Sequence, residues 1–194
     1  MTRPLPAAKF LLSEADPARL PPCAAEVTFV GRSNVGKSSL LNAVVGKPLA
    51  RVSNTPGRTR TINVFEAGPG RWLVDLPGYG FAAGKQDERE SWAAMIEGYL
   101  KGRPALRMVF LLIDAKVGPT KLDASMIDWL RAQRLPWRAV ITKGDQVGSS
   151  RVQHRQKELG ELMGVSPDQL LWVSAEKGFG IGRLKQEVAG LLEG

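Results

Sequence analysis

Residues 31–38 read Gly-Arg-Ser-Asn-Val-Gly-Lys-Ser and follow the apolar run Glu-Val-Thr-Phe-Val. The pattern is Gly, four residues, then Gly-Lys-Ser. That spacing belongs to a loop that wraps phosphate oxygens in backbone N–H groups. Gly31 and Gly36 supply the backbone freedom that close approach to an anion needs. Lys37 would set an ammonium against β- and γ-phosphates, and the Ser38 hydroxyl would ligate Mg²⁺. Arg32, Ser33, Asn34, Val35 and Ser39 complete the expected nucleotide-contacting stretch. The motif alone does not choose between adenine and guanine, nor between a switch, a motor and a nucleotide kinase.

Further groups narrow the choice. Asp75-Leu76-Pro77-Gly78 follows the strand pattern Arg-Trp-Leu-Val. A carboxylate there reaches the Mg²⁺ shell through a water. Gly78 can offer its N–H to the γ-phosphate and reorient when that phosphate leaves. Thr142-Lys143-Gly144-Asp145 ends another strand pattern. Asp145 can accept from the N1–H and exocyclic amine of guanine, a pair of donors that adenine lacks, while the Lys143 stem lies along the base plane. Val173-Ser174-Ala175 ends the last strand, where backbone N–H groups can meet the guanine O6. The expected ligand is a guanine nucleotide, GTP or GDP. Between these groups the Thr-, Gly- and Arg-rich stretch from residue 51 predicts a loop without a core of its own. Within it Gly57, Arg58, Thr59, Arg60 and Thr61 are expected at the nucleotide. Thr59 is the choice for a second Mg²⁺ ligand, acting with Lys37 in catalysis, and Thr61 is the competing hydroxyl.

Elements must hold these loops together. Short apolar runs at 26–31, 62–67, 71–76, 107–114, 137–143 and 170–175 predict strands. Helical patterns fill 37–46, about 86–101, 121–133, 149–163 and 181–192. In the last, Ile181, Leu184, Val188, Leu191 and Leu192 form a core-facing stripe. Alternation of this kind predicts a doubly wound, three-layer α/β fold with helices on both faces of a mostly parallel six-stranded sheet. One edge strand is expected to be antiparallel, from a hairpin of 62–67 and 71–76 joined by Gly-Pro-Gly. Ligands in such sheets lie at the carboxyl ends of strands, where all these motifs fall.

The 194 residues suit one domain, expected over 23–194 with residues 1–22 as an extension packed on it. With 43% hydrophobic and 24% charged residues the chain is globular rather than disordered. Cys23 is the only cysteine, which excludes an internal disulfide and a Cys-based zinc site. No apolar run approaches the roughly 20 residues of a membrane span. The first residues are too rich in proline and charge for a secretory signal. A cytoplasmic location without membrane attachment is expected. The formal charge of +8 points to a polyanionic partner such as RNA, or else to a solvated surface. The same two readings apply to the clusters Arg131/Arg134/Arg138 and Lys101/Arg103/Arg107. His154 is assigned no role.

The stretches GRSNVGKSSLLN, NTPGRTRTIN, DLPGYGFA, ERESWAAMIEGYLKGR, IDAKVGPTKLDASMIDWL and TKGD, with the prelude FLLSEADPARLP, resemble the translation-factor-related GTPases. More narrowly they resemble the EngB (YihA/YsxC) family of bacterial ribosome-biogenesis GTP-binding proteins, over nearly the whole chain. The resemblance implies GTP hydrolysis with Mg²⁺ and a switch role in assembly of the large ribosomal subunit, with that subunit or its rRNA as partner. It also implies a part in normal cell division and septation. A monomer is expected. Tyr79 stands where Ras-type enzymes place a water-orienting glutamine, so slow intrinsic turnover is expected, accelerated by a partner or a monovalent cation. Asn34 resembles the asparagine with which potassium-dependent relatives hold K⁺; a local backbone cap is the alternative. Thr142 replaces the Asn of the usual NKxD pattern and predicts looser loop support. The rival to a GTPase switch is a GTP-gated binding module acting on a cell-division protein; a nucleotide kinase is more distant.

Overall fold

Strands rich in Val, Ile, Leu and Phe, with little alternation, persist in water only when helices cover both of their faces. The computed structural model, which describes residues 5–48, 61–79 and 86–194, has that arrangement. Along the chain lie β1 (Lys9–Glu14), β2 (Ala25–Gly31), α1 (Lys37–Val45), β3 (Ile62–Glu66), β4 (Arg71–Asp75) and α2 (Gln86–Gly102). Then follow β5 (Leu106–Asp114), α3 (Lys121–Ala132), β6 (Trp137–Thr142), α4 (Val152–Met163), β7 (Leu171–Trp172) and α5 (Ile181–Glu193). The sheet order is β1-β3-β4-β2-β5-β6-β7. From β4 to β7 neighbouring strands run parallel, β3 pairs antiparallel with β4, and β1 pairs antiparallel with β3.

The three-layer α/β fold is the expected one, with a seventh strand added. β1 lies outside β3, so the antiparallel strand is second from the edge and not at the edge itself. The prelude hides this strand because its outer side has no strand neighbour among the described residues. Phe10 is 53% exposed, Leu11 38%, and the register breaks between Phe10 and Leu12, so no clean alternation survives in the sequence. β7 is shorter than its apolar run because the chain turns away, with the Ser174 N–H donating to the Phe179 carbonyl. The helical pattern at 149–163 begins as a single 3₁₀ turn, Ser149–Arg151, before α4.

Side-chain alternation along β5 divides the interior. Val109, Leu111 and Ile113 face a cluster with Ile96, Tyr99 and Leu100 of α2, Ile127 and Leu130 of α3 and Leu159 and Met163 of α4. Phe110 and Leu112 face the other side, with Leu40, Leu41 and Val44 of α1 and Leu184, Val188 and Leu192 of α5. The expected α5 stripe is therefore core. At the amino end of β2 the buried Glu26 accepts two hydrogen bonds from Arg103 at 2.8 and 2.9 Å. Beside them burial, and next the Glu26 charge, push the Cys23 thiol up to about 12, which makes it an unreactive side chain.

Candidate functional site

The opposite, carboxyl end of the sheet gathers the sequence motifs. β2 ends in Gly31, where a Cβ would stand 3.0 Å from both Cβ and the carbonyl oxygen of Leu112 in β5. A side chain there would crowd β5 and force its neighbours to give way. The loop then turns left-handed at Asn34 (φ 65°) and Gly36 (φ 93°), and α1 begins at Lys37. A turn of this kind aims successive N–H groups into one concavity, and the helix start adds more. The Lys37 ammonium pairs with Asp75 Oδ1 at the end of β4. Ser38 is half-buried in the first helical turn beside this pair; Ser39 is exposed.

The Asp75–Gly78 loop is laced to that cradle. The Leu76 N–H donates to Phe29 (3.2 Å), and the Pro77 carbonyl accepts from Trp92 Nε1 of α2 (3.2 Å). A Cβ on Gly78 would lie 3.1 Å from Ser33 N and 3.3 Å from Gly31 O, so the two loops touch backbone to backbone. Tyr79 donates its N–H to Gly31 O (3.2 Å), and its carbonyl accepts from Ser33 N (2.9 Å). The Tyr79 phenol turns inward to Asp123 Oδ1 of α3 at 2.5 Å. Burial, and then the Asp123 charge, push the phenol far above its ordinary value, so it remains a donor.

On the other flank the Thr142 hydroxyl lies 2.7 Å from the Val35 carbonyl, tying the cradle to the Thr142–Asp145 loop. The same hydroxyl also reaches the Ile113 carbonyl (3.2 Å), so Thr142 does support the loop through its one hydroxyl. Lys143, itself left-handed (φ 54°), spans from Asn34 O to Asp114 Oδ2, 2.8 Å each. Burial drives the Asp114 carboxyl up. The Lys143 ammonium with the N–H groups of Val117 and Lys116 outweighs that effect and holds it below the usual range. The Gly144 N–H donates to Val173 (3.0 Å), and a Cβ there would stand 2.4 Å from Trp172 Nε1 and 3.1 Å from Phe179 Cζ. Asp145, half-exposed, follows in a short 3₁₀ turn. Val173 and Ser174 are buried, Ser174 Oγ accepts from Lys177 N (3.0 Å), and Ala175 is half-buried.

Gly57, Arg58, Thr59 and Arg60 lie outside the described residues. Thr61 lies within them, just before β3, with its hydroxyl 2.8 Å from Ser13 Oγ of β1. Among the described residues there is no cluster of three or more His, Cys, Asp or Glu able to hold a metal. One hydroxyl beside one buried carboxylate fits a cation such as Mg²⁺, which keeps waters and takes further ligands from substrate phosphates. Four contributors escaped the sequence reading: Asp114, Asp123, Trp92 and Trp172. Asp114 ends a strand at the ligand edge, and Thr120-x-x-Asp123 has capping-box spacing, so two of them left a signal. The basic clusters prove largely occupied. Arg103 binds Glu26, Arg131 donates to Met163 O (2.6 Å), and Arg138 forks onto Glu187 at 2.8 Å.

Comparison with known proteins agrees with this geometry. The family model described as "50S ribosome-binding GTPase" matches residues 26–143. A protein of Thermotoga petrophila named "Probable GTP-binding protein EngB" is 42% identical over 174 residues, covering 89% of each chain. One of the same name from Desulforamulus reducens is 46% identical over 182 residues, 92% of this chain and 89% of the relative. A crystal structure of an engB protein superposes with TM-score 0.70 at 26% identity, over 87% of this chain and 99% of that one. Era of Aquifex aeolicus shares the fold, with TM-score 0.69 at 24% identity, over 88% of this chain and 57% of that one. The mostly parallel sheet is the one these relatives share, and the chain belongs to the EngB family of P-loop GTPases, enzymes that hydrolyse GTP.

Proposed function

We propose that this GTPase is a Mg²⁺-dependent switch that docks on the large ribosomal subunit in its GTP state and leaves after hydrolysis. The observation that carries the switch is the backbone contact of Gly78 with Ser33 beside the Lys37–Asp75 pair, which links any change at a terminal phosphate to the loop after β4. The description of the matching family model supports the ribosomal half.

In this reading Gly31, Gly36 and the start of α1 cradle the phosphates, and Lys37 stabilises the negative charge that develops on them. Ser38 and Thr59 hold Mg²⁺, which neutralises phosphate charge when bound. Asp145 selects guanine, placed by Lys143 and Gly144 and faced by Val173, Ser174 and Ala175. Tyr79 offers no amide to a water, in keeping with slow intrinsic turnover. The left-handed backbone at Asn34 gives that residue a conformational reason of its own, since Asn tolerates this region well. Equal GTP turnover in K⁺ and Na⁺ would leave it as the whole reason. With Arg103, Arg131 and Arg138 engaged internally and Lys101 paired with Glu97, the exposed Arg107 and Arg134 become the first cations to substitute in mapping an RNA contact.

Co-sedimentation with purified large subunits tests the reading. Binding with a non-hydrolysable GTP analogue, and much less with GDP or no nucleotide, is the expected result. Equal or absent binding in all three states removes the ribosomal half and leaves a GTP-gated module for a protein partner.

A further inference from the structure

Asp123 lies in the first turn of α3, is 1% exposed and takes no part in the reading above. Its Oδ2 accepts from both the backbone N–H and the hydroxyl of Thr120, each at 2.7 Å, closing the capping box of α3. Its Oδ1 accepts from the Tyr79 phenol at 2.5 Å, and Arg32 of the phosphate cradle approaches Oδ2 with Nε at 3.8 Å. A buried carboxylate needs such partners, and here two of them, Tyr79 and Arg32, come from segments distant in sequence. Tyr79 is correspondingly fixed on every side. Its ring meets Trp92 edge to face with centroids 5.7 Å apart, and its backbone is tied to Gly31 and Ser33.

We propose that Asp123 is a positioning residue for the γ-phosphate. By holding the Tyr79 hydroxyl it keeps the adjoining Gly78 peptide against the cradle, and so sets the ratio of GTP to GDP affinity without touching either nucleotide. The proposal rests on the reading of Gly78 as the γ-phosphate contact. Its logic is a population shift. The latched loop is the arrangement that meets a γ-phosphate, so unlatching diverts the protein from the state that GTP selects and leaves GDP binding little changed. It also gives Tyr79 a use at a position where an amide would orient water: the phenol reaches α3, and the loop gains an anchor in place of a catalytic group.

The test uses the full chain with Mg²⁺ and measures Kd for a non-hydrolysable GTP analogue and for GDP in Tyr79→Phe, Asp123→Asn and the double variant. Tyr79→Phe keeps the ring packing and removes only the hydroxyl, so the fold is preserved, as a thermal melt will show. It is expected to weaken the GTP analogue about tenfold, the size of one charge-assisted hydrogen bond, with GDP within about twofold. The double variant is expected to lose no more GTP preference than the worse single variant, because both break the same contact. Equal weakening of both nucleotides, or additive losses of preference, would overturn the latch and leave a structural hydrogen bond. Gly78→Ala separates the two levels. If it leaves the GTP-to-GDP ratio unchanged, the γ-phosphate reading of Gly78 fails and the latch with it. If it alters the ratio and Tyr79→Phe does not, the latch alone fails.

Discussion

Two ion pairs sit at opposite ends of the central strands, and their surroundings differ in a way that separates architecture from chemistry. At the amino end, Arg103 and Glu26 are 8% and 0% exposed, and the guanidinium is used in full. It forks onto the carboxylate, donates to Leu20 O and Pro21 O, and lies 5.3 Å over the Trp72 ring. At the carboxyl end, Lys37 meets Asp75 at nearly equal burial, 11% and 6%. There a flexible ammonium with three rotatable donors stands at the rim of a backbone concavity. Arg suits the closed pair because its planar fork fixes one geometry. Lys, with its rotatable donors, keeps the freedom to exchange one acceptor for another.

The sharpest way to break this comparison is to delete each cation. Lys37→Ala is expected to slow single-turnover GTP hydrolysis by about 10²–10³, the effect of losing one group aimed at developing charge, and to cost stability as well because Asp75 is left buried without its partner. Arg103→Ala is expected to cost stability without slowing turnover. Leaving Glu26 buried and unpaired costs about 3–5 kcal/mol of stability, read by denaturant unfolding, while turnover at a temperature where the variant is folded stays near wild type. Similar losses of both quantities in both variants would erase the distinction.

Smaller effects are expected where the Thr142–Asp145 loop is held by packing. Gly144→Ala forces a methyl into the Trp172 indole, and the resulting shift of Asp145 should weaken GDP about tenfold, in line with the cost of overpacking a filled site. Adding Trp172→Leu should recover part of that loss. A double variant as weak as both singles combined would remove steric conflict as the cause. The smallest effect concerns Asp114. Its folded pKa lies below its ordinary 3.8, so the stability it contributes is present above about 3.8 and is lost as pH falls through the lower folded value. A melting profile over that acidic range should flatten in Asp114→Asn, and an unchanged slope would sever the Lys143–Asp114 pair from acid stability.

The sequence made the architecture legible wherever burial on both faces forced an apolar run, as in β2, β5 and β6. It failed at β1, whose stability comes from one neighbour and whose side chains lie partly in water. The cradle and both neighbouring loops could be placed because their chemistry needs fixed spacing along a few adjacent residues. Trp92 and Trp172 could not, because their contacts with Pro77, Tyr79 and Gly144 form only on folding, and Asp114 showed only its place at a strand end, not its pairing with Lys143. Asp123 shows the boundary within one residue: its bond to Thr120 is local and readable, and its bond to Tyr79, 44 residues away, is not. The arginines taught the opposite lesson. As letters they resembled an RNA-binding face, yet the carbonyls and carboxylates that occupy Arg103, Arg131 and Arg138 are visible only in three dimensions.

The register break between Phe10 and Leu12 has a consequence for how copies of this chain meet during synthesis and refolding. A sheet grows into a fibril by adding strands to a straight outer ladder. Here one flank ends in a kinked strand with Lys9 and Glu14 at its tips, and the other in β7, only two residues long. Neither flank offers a template that an unfolded neighbour can extend.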